Sequence, residues 1–355
     1  MAYTGNTYGD LTPRQANFAV KEFLMRALPL LTIEKFGKQV PLPKNETKTI
    51  KFRRYFLTNG TGGYSGEAGA YNLPLALTPL VEGETPAGTK MDYKDESVDI
   101  AQYGNWTGFT DFFMDTHPDV PPVIREFSDI LGEQAALTKE TLTFNVLKAG
   151  SQVFYANGSQ RTDVNTPITL AMIRRVTRAF KNQNMQKITT VLASTPNYNT
   201  QPIEAAYVCL VHPNVENDIR NIDGFINIKH YAQGKAFEGE IGQVEDVRFI
   251  SSTVFSAFAD AGGAFNGSGT AMLSTTGTNA DVYPLIFLAK DAFNIIPLRA
   301  NTNTGSVSAS MAVVYPKPTE TDPLGQRGTI SWKLYHAAMI SNMFGVVRAE
   351  VAATA

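Results

Sequence analysis

Residues 121–150 read PPVIREFSDILGEQAALTKETLTFNVLKAG, and this stretch decides the fold class. Pro121-Pro122 suits the first turn of a helix and Gly150 ends it. A helix from 122 to 149 would be about 42 Å long at 1.5 Å per residue. The heptad pattern breaks at Thr138-Lys139-Glu140, so we predict a single long helix that supports the fold rather than a coiled coil. Apolar side chains follow helical spacing at Val123, Phe127, Ile130, Leu131, Ala135, Leu142 and Val146.

The composition limits the class of protein. The chain has 355 residues, of which 43% are hydrophobic and 18% charged, with a net charge of −2. This length predicts two compact units, and this charge excludes a polyanion-binding protein as a whole. A single cysteine, Cys209, excludes an internal disulfide and a cysteine-rich metal site, and its apolar strand predicts a buried side chain. Apolar runs end at about eight residues and the start is polar, so we expect neither a membrane partner nor a secretory leader.

Charge is distributed unevenly along the chain. Residues 1–56 carry ten basic and four acidic side chains, a net charge of +6, and residues 57–355 have a net charge of −8. A basic front and an acidic remainder can attract each other between copies of one chain, or the front can face nucleic acid. A solvated surface with chance asymmetry is the alternative.

The first third of the chain predicts a helix, an arm and a long hairpin. A helical pattern opens at Thr12-Pro13 and runs to about Leu30, and residues 31–46 are predicted to be extended. KTIKFRRYF at 48–56 alternates like a strand with one basic face, and strand character resumes from Met91 to Phe109. The intervening Gly- and Thr-rich loop is too long for a compact domain. We therefore expect that another subunit orders this loop or that the loop is functionally mobile.

The sequence of the remaining two thirds of the chain predicts a mixed α+β protein. Thr166-Pro167 is expected to cap a second helix that points Leu170, Ile173, Val176 and Phe180 inward. A short helix should start at His212-Pro213-Asn214. Strands are predicted around 206–211, 247–254, 282–298 with a break at Lys290-Asp291, 330–334 and 344–351.

Signatures of catalysis and of cofactor binding are missing from the sequence. The four histidines show no metalloprotease spacing, and the glycine clusters match neither a nucleotide-binding loop nor a nucleophile elbow. We therefore predict no enzyme activity, no cofactor and no metal. The acidic run Asp111, Asp115 and Asp119 is interpreted as a solvated turn rather than a cation site, because prolines should prevent a helix there. The basic helix face of Arg174, Arg175, Arg178 and Lys181 is interpreted as an ordinary solvent face rather than a phosphate site.

Seven stretches, in this order, resemble the major capsid protein family of tailed bacteriophages, in particular the capsids typified by a large virion-polymerase coliphage. The resemblance covers roughly residues 12–350, and its specificity comes from the order of the stretches rather than from any one of them. The stretches are KTIKFRRYF (48–56), LVEGETPAG (80–88), QYGNWTGFTD (102–111), LGEQAALTKETLTFNVLKAG (131–150), YVCLVHPNVENDIRN (207–221), GEIGQVEDVRFISST (239–253) and DPLGQRGTISWKLYHAAMI (322–340).

The resemblance implies the capsid fold shared by tailed phages, herpesviruses and encapsulins. On that fold the long helix is the spine helix of a peripheral domain, and the long loop is the tip of an extended hairpin that reaches another subunit. The implied division is an N-terminal arm (1–46), an extended hairpin (47–112), a peripheral domain with the spine helix (113–189), an axial domain (190–320) and a return to the peripheral domain (321–355).

The implied function is a major capsid protein that assembles in the host cytoplasm into the icosahedral head of a virion. Implied partners are copies of itself in hexamers and pentamers, a separate scaffold protein, a portal, decoration proteins and nonspecifically contacted double-stranded DNA. An encapsulin-like compartment and a β-rich hydrolase are the alternatives. Charge contacts between subunits are predicted at Arg53, Arg54, Glu82 and Glu84.

Overall fold

The computed structural model describes residues 32–43, 47–57, 79–85, 88, 91–116, 120–192, 200–230, 236–237, 239–265, 271–299, 309–318 and 322–355. The predicted helix at 12–30 and most of the predicted loop at 58–88 lie outside these residues. None of the helices in the described part of the chain has the length and apolar character to span a bilayer.

The chain is a mixture of helices and strands, as the sequence predicts. The helices are α1 (Asp111–Thr116), α2 (Val120–Lys148), α3 (Leu170–Asn182) and α4 (Glu216–Arg220). The strands are β1 (Lys38–Gln39), β2 (Leu42–Pro43), β3 (Thr49–Leu57), β4 (Met91–Asp99), β5 (Ala101–Thr110), β6 (Val153–Tyr155), β7 (Ile188–Leu192), β8 (Thr200–Val211), β9 (Phe225–Asn227), β10 (Glu240–Val244), β11 (Val247–Ser251), β12 (Tyr283–Leu288), β13 (Phe293–Arg299), β14 (Ala309–Val314), β15 (Arg327–Ile340) and β16 (Val346–Val351).

A six-stranded sheet is organised around the long strand β15. This strand pairs antiparallel with β5 on one side and with β14 and β13 on the other. The short strands β1 and β2 add to β13 in parallel. Within the segment predicted to be extended at 31–46, Lys38-Gln39 and Leu42-Pro43 are thus fixed on this sheet by backbone pairing. The prediction was wrong for Ile33–Lys35, which form a short 3₁₀ helix because Glu140 of α2 accepts a hydrogen bond from the amide of Ile33.

An eight-stranded sheet forms the larger core. Its strands follow the order β6-β16-β12-β8-β11-β10-β9, and β7 pairs with the first half of β8. Helix α3 packs Ile173, Val176 and Phe180 against one face. Val208, Leu210 and Ile286 pack into a separate cluster from the other face. Where the central strands are covered on both sides, at 206–211 of β8 and 285–288 of β12, their sequence is continuously apolar, and Cys209 is fully buried as predicted.

The spine helix α2 joins the two sheets. Near its middle, Leu131 packs with Phe109 and Trp332 of the six-stranded sheet. Toward its end, Phe144 and Leu147 are buried in a cluster that includes strands of the eight-stranded sheet. Burial of each such side chain contributes roughly 1.5–3 kcal/mol. The prediction of a long supporting helix is therefore correct, and both sheets pack against this helix.

Polar contacts fix the spine helix to β15. The indole Nε1 of Trp332 donates to Gln134 Oε1 at 3.0 Å, and Asn105 Nδ2 donates to the same oxygen at 2.9 Å. Further along, Thr143 Oγ1 and His336 Nε2 lie 3.0 Å apart in a buried contact. Burial, with a smaller contribution from the nearby Lys139, lowers the pKa of His336 to about 4. His336 is therefore neutral at neutral pH.

Two predictions about helices were wrong. Asp111–Thr116 is the short helix α1 rather than a solvated turn, because the prolines follow it and Pro121 falls in the first turn of α2, where no amide donor is needed. Helix α3 begins at Leu170, and its N-cap is Thr169, whose side chain accepts from the amide of Met172. Thr166-Pro167 precedes this helix and belongs to neither a helix nor a strand.

The packing of the spine helix predicts a large loss of stability for Phe144→Ala. Phe144 is fully buried and its ring lies 5.2 Å from that of Phe255. Truncation should lower the free energy of unfolding of the unassembled subunit by about 3–5 kcal/mol, measured by urea denaturation. The neighbouring Asn145 is exposed, and Asn145→Ala should change it by less than about 0.5 kcal/mol. Equal effects of the two variants would contradict this packing.

The buried His336 predicts a loss of stability on acidification. Its folded-state pKa lies below its value of 6.5 in the unfolded chain, so the unfolded state binds the proton first. The contribution of neutral His336 to the free energy of unfolding is fully present above pH 6.5. It should decline by about 3 kcal/mol as the pH falls from 6.5 through 4. Urea denaturation between pH 7 and 4 should show a shallower decline for His336→Gln. His230→Gln, at an exposed site, should keep the wild-type slope, and an unchanged slope for His336→Gln would refute the assignment.

Candidate functional site

Strands β3 and β4 form a two-stranded sheet that leaves the body of the protein. They pair antiparallel, in register from Thr49 opposite Asp99 to Leu57 opposite Met91. Among the described residues no third strand joins them. At the base, Phe52 and Val98 pack against Ile296 and Ala337 of the six-stranded sheet, together with Ile50, Ile100 and Leu42. The described side chains farther out on the hairpin, such as Tyr55 and Tyr93, are exposed.

The outer face of the hairpin is aromatic and charged. Tyr55 and Tyr93 lie opposite each other with ring centroids 6.3 Å apart, and they are 64% and 51% exposed. Arg53 forms a forked pair with Asp95, with Nε to Oδ1 at 2.7 Å and Nη2 to Oδ2 at 2.8 Å, and its guanidinium lies 4.2 Å from the Tyr93 ring centroid. These hydrogen bonds raise the pKa of Arg53 and lower that of Asp95, so both groups stay charged.

The segment beyond β3 includes a tight, exposed turn at residues 80–84. The amide of Glu84 donates to the carbonyl of Val81 at 3.1 Å, and Gly83 has a φ of +86°, which this turn requires and which side chains rarely adopt. Leu80 and Val81 are 77% and 62% exposed. Glu82 and Glu84 are exposed beside them, so the turn presents two apolar side chains and two carboxylates to solvent.

A buried carboxylate attaches the arm to the spine helix. Oε1 of Glu140 accepts from the amides of Thr32 and Ile33 at 2.9 and 2.8 Å and from the Thr32 hydroxyl at 2.9 Å. Lys139, the preceding residue of the helix, forms an ion pair with Glu34. Burial raises the pKa of Glu140, and the nearby Glu34 adds to this shift. Thr32 and Ile33 are therefore held at one fixed point on α2.

The four predicted contact residues all belong to the hairpin region. Arg53 is paired with Asp95 of its own hairpin, Glu82 and Glu84 lie in the exposed turn, and Arg54 is in register with Lys94 with its side chain outside the described residues. Sequence reasoning missed Tyr55, Tyr93, Asp95 and Glu140. Pairing the alternation of KTIKFRRYF with that of MDYKDESVD would have placed the first three on one face.

Comparison with known proteins identifies the family. The model of the phage capsid protein family matches residues 93–349, well over half of the chain. The chain belongs to the phage capsid protein family. This confirms the resemblance predicted from the sequence and assigns the chain to the protein shell of a phage particle.

Individual proteins that are similar to this chain in sequence or structure are also phage capsid proteins. The chain is 21% identical over 256 residues to the major capsid protein of Pseudomonas phage KPP21, an alignment that covers 68% of this chain and 63% of that relative, so it spans somewhat less than two thirds of the relative's length. The capsid of Ralstonia phage GP4 is similar in structure with a TM-score of 0.61 at 14% identity, covering 99% of this chain and 98% of the other. The capsid of cyanophage P-SCSP1u gives a TM-score of 0.56 at 12% identity, covering 98% and 92%. The α+β capsid fold is therefore confirmed.

The basic face of α3 is exposed and largely engaged within this capsid protein. Arg174 forms an ion pair with Glu245 at 2.6 Å, and Lys181 forms one with Asp246 at 2.8 Å. The guanidinium of Arg175 lies 4.6 Å from the ring centroid of Phe154. These contacts agree with the prediction of an ordinary solvent face. Among the described residues, no group of three histidines, cysteines or carboxylates is arranged to hold a metal ion.

The contacts of Glu140 predict that Glu140→Ala loosens the arm. Three donors would lose their buried acceptor, each at a cost of roughly 1–3 kcal/mol. Limited trypsin digestion of the unassembled subunit should then cut at Lys35 or Lys38 faster than in the wild type. Glu140→Gln keeps an acceptor oxygen and should be intermediate. Glu133→Ala, about two turns earlier and partly exposed, should digest like the wild type. Equal digestion of all the variants would contradict the attachment.

Proposed function

We propose that the chain is a major capsid protein that self-assembles into the icosahedral head shell around double-stranded DNA. The observation that carries this proposal is the two-stranded hairpin of β3 and β4, whose outer face exposes Tyr55, Tyr93 and the Arg53–Asp95 pair. An isolated hairpin of two strands is at best marginally stable in water. Exposed aromatic side chains are also typical of surfaces that a protein partner covers.

The geometry supports a division of labour between the parts of the chain. In this proposal the arm (1–46) and the hairpin (47–112) overlap neighbouring subunits. The peripheral segments (113–189 and 321–355) and the axial segment (190–320) make up the shell wall. Arg53, Arg54, Glu82 and Glu84 contact neighbours, and Arg53 also pairs with Asp95 of its own hairpin. Repeated heterologous contacts of this kind close into a shell through symmetry.

The proposed shell function implies several partners. Copies of the chain assemble as hexamers and pentamers, and a separate scaffold protein, a portal and decoration proteins complete the particle. Contacts with DNA are nonspecific and salt-sensitive. Because the net charge is only −2, packaging depends on a motor rather than on attraction by the shell. A structural, non-enzymatic role fits the family and is preferred over a hydrolase.

The proposal predicts closed shells from the protein expressed alone or with its scaffold, observed by negative-stain electron microscopy and by sedimentation. Tyr55→Ser with Tyr93→Ser should lower the assembled fraction about tenfold or more, because the exposed aromatic pair loses its contact with the neighbour. The melting temperature of the unassembled subunit should change by only a few degrees.

Ile226→Ala provides the matched control. Ile226 is 43% exposed on the edge strand β9, and its truncation should leave the assembled fraction close to that of the wild type. Wild-type protein that stays monomeric with its scaffold present would refute the proposed function. Full assembly of the double tyrosine variant would refute the role of the hairpin face.

A further inference from the structure

The six-stranded sheet has one face that the spine helix does not cover. Trp332 and Asn105 bond to Gln134 of the helix, so residues that alternate with them point to the opposite side. That side carries Gln102, Gly104 and Trp106 of β5 and Ser331, Lys333 and Tyr335 of β15. Gln102 Nε2 donates to the Tyr335 hydroxyl at 3.2 Å, which places these two side chains on one face. We call these six residues the open face.

Trp106 dominates the open face. Its side chain is 55% exposed, although tryptophan is a large residue that normally gains much from burial. It lies opposite Ser331, and the adjacent pair on this face is Gly104 opposite Lys333. Glycine and serine leave room on two sides of the indole. The Lys333 ammonium is exposed and lies 5.4 Å from the ring centroid of Tyr335. The open face therefore combines an accessible aromatic ring with a positive charge.

The chain already covers part of this side of the sheet with hairpin residues. Ala337 follows Tyr335 at the next position on the same side of β15. Phe52 and Val98, at the base of the hairpin, pack against it. The cover ends there, because Gln102, Gly104 and Trp106 are exposed. The open face thus continues a surface that accepts apolar hairpin residues.

The turn at Leu80–Glu84 is complementary to the open face. Its two apolar side chains suit the indole and the space beside it. Its two carboxylates suit the ammonium of Lys333. The turn has a defined shape because Gly83 and the hydrogen bond from Glu84 to Val81 fix its backbone. Since Leu80 and Val81 are highly exposed, the turn does not satisfy them on its own subunit.

We propose that the Leu80–Glu84 turn of one copy docks on the open face of a neighbouring copy. Leu80 and Val81 pack on Trp106, and Glu82 and Glu84 lie near Lys333. This inference rests on the proposed shell function and names the surface that receives the hairpin.

Charge reversal tests the electrostatic part of the docking. Lys333→Glu, and Glu82→Lys with Glu84→Lys, should each lower the association constant between subunits about tenfold or more, since like charges then face each other. The triple variant restores opposite charges and should recover to within about threefold of the wild type. Assembly is measured by sedimentation and electron microscopy of the full chain. Failure of the triple variant to recover, with both parents impaired, would overturn the pairing.

A disulfide trap tests the contact directly. Cys209, the only native cysteine, is fully buried, so the background of oxidation is low. Val81→Cys combined with Ser331→Cys, in oxidised shells, should give a ladder of linked subunits on a nonreducing gel, and neither single variant should. Intact shells without a ladder would overturn the docking and leave the proposed function standing. A fast-migrating monomer would show that the turn docks on its own chain and would also overturn it. Absence of shells from the wild type would instead refute the proposed function itself.

Discussion

A two-stranded sheet cannot cover its own faces, and this constraint governs the molecule. Among the described side chains of strands β3 and β4, those that pack against the body lie at the base of the hairpin and include Phe52 and Val98. Farther out, Tyr55 and Tyr93 contact each other, and Arg53 pairs with Asp95 on the same exposed face. An isolated hairpin of this kind is only marginally stable in water. It becomes stable when a neighbouring subunit covers its exposed face.

The body of the protein provides a rigid frame for these outlying segments. The spine helix packs against both sheets, so the base of the hairpin and the attachment point of the arm keep a fixed spacing. Glu140 on this helix holds Thr32 and Ile33, while Thr143, one turn later, contacts His336 of the long strand. Arm, helix and strand are thus connected through buried polar groups. Such groups give defined geometry, because each has few alternative partners in an apolar interior.

Much of the fold was predictable because it depends on local periodicity. The spine helix, the apolar strand around Cys209 and the break at Lys290-Asp291 all follow from side-chain spacing and turn residues. The helix at Asp111 was missed because its boundaries depend on where prolines fall relative to a first turn. Ile130 fits the helical stripe yet is 51% exposed, whereas Phe127 and Leu131 on either side of it pack against the six-stranded sheet. The pairing of Arg53 with Asp95 and the role of Glu140 join residues distant in sequence, and no local pattern specifies them.

The most direct test of the account is hydrogen exchange of the free subunit compared with the assembled shell. The amides of β3 and β4 should exchange fast in the free subunit and become strongly protected in the shell, because a neighbour then covers the hairpin. Strands β8 and β12, in the centre of the eight-stranded sheet, should be protected in both states. Hairpin amides that are already as protected in the free subunit as those of β8 would show a self-contained hairpin and would contradict the account.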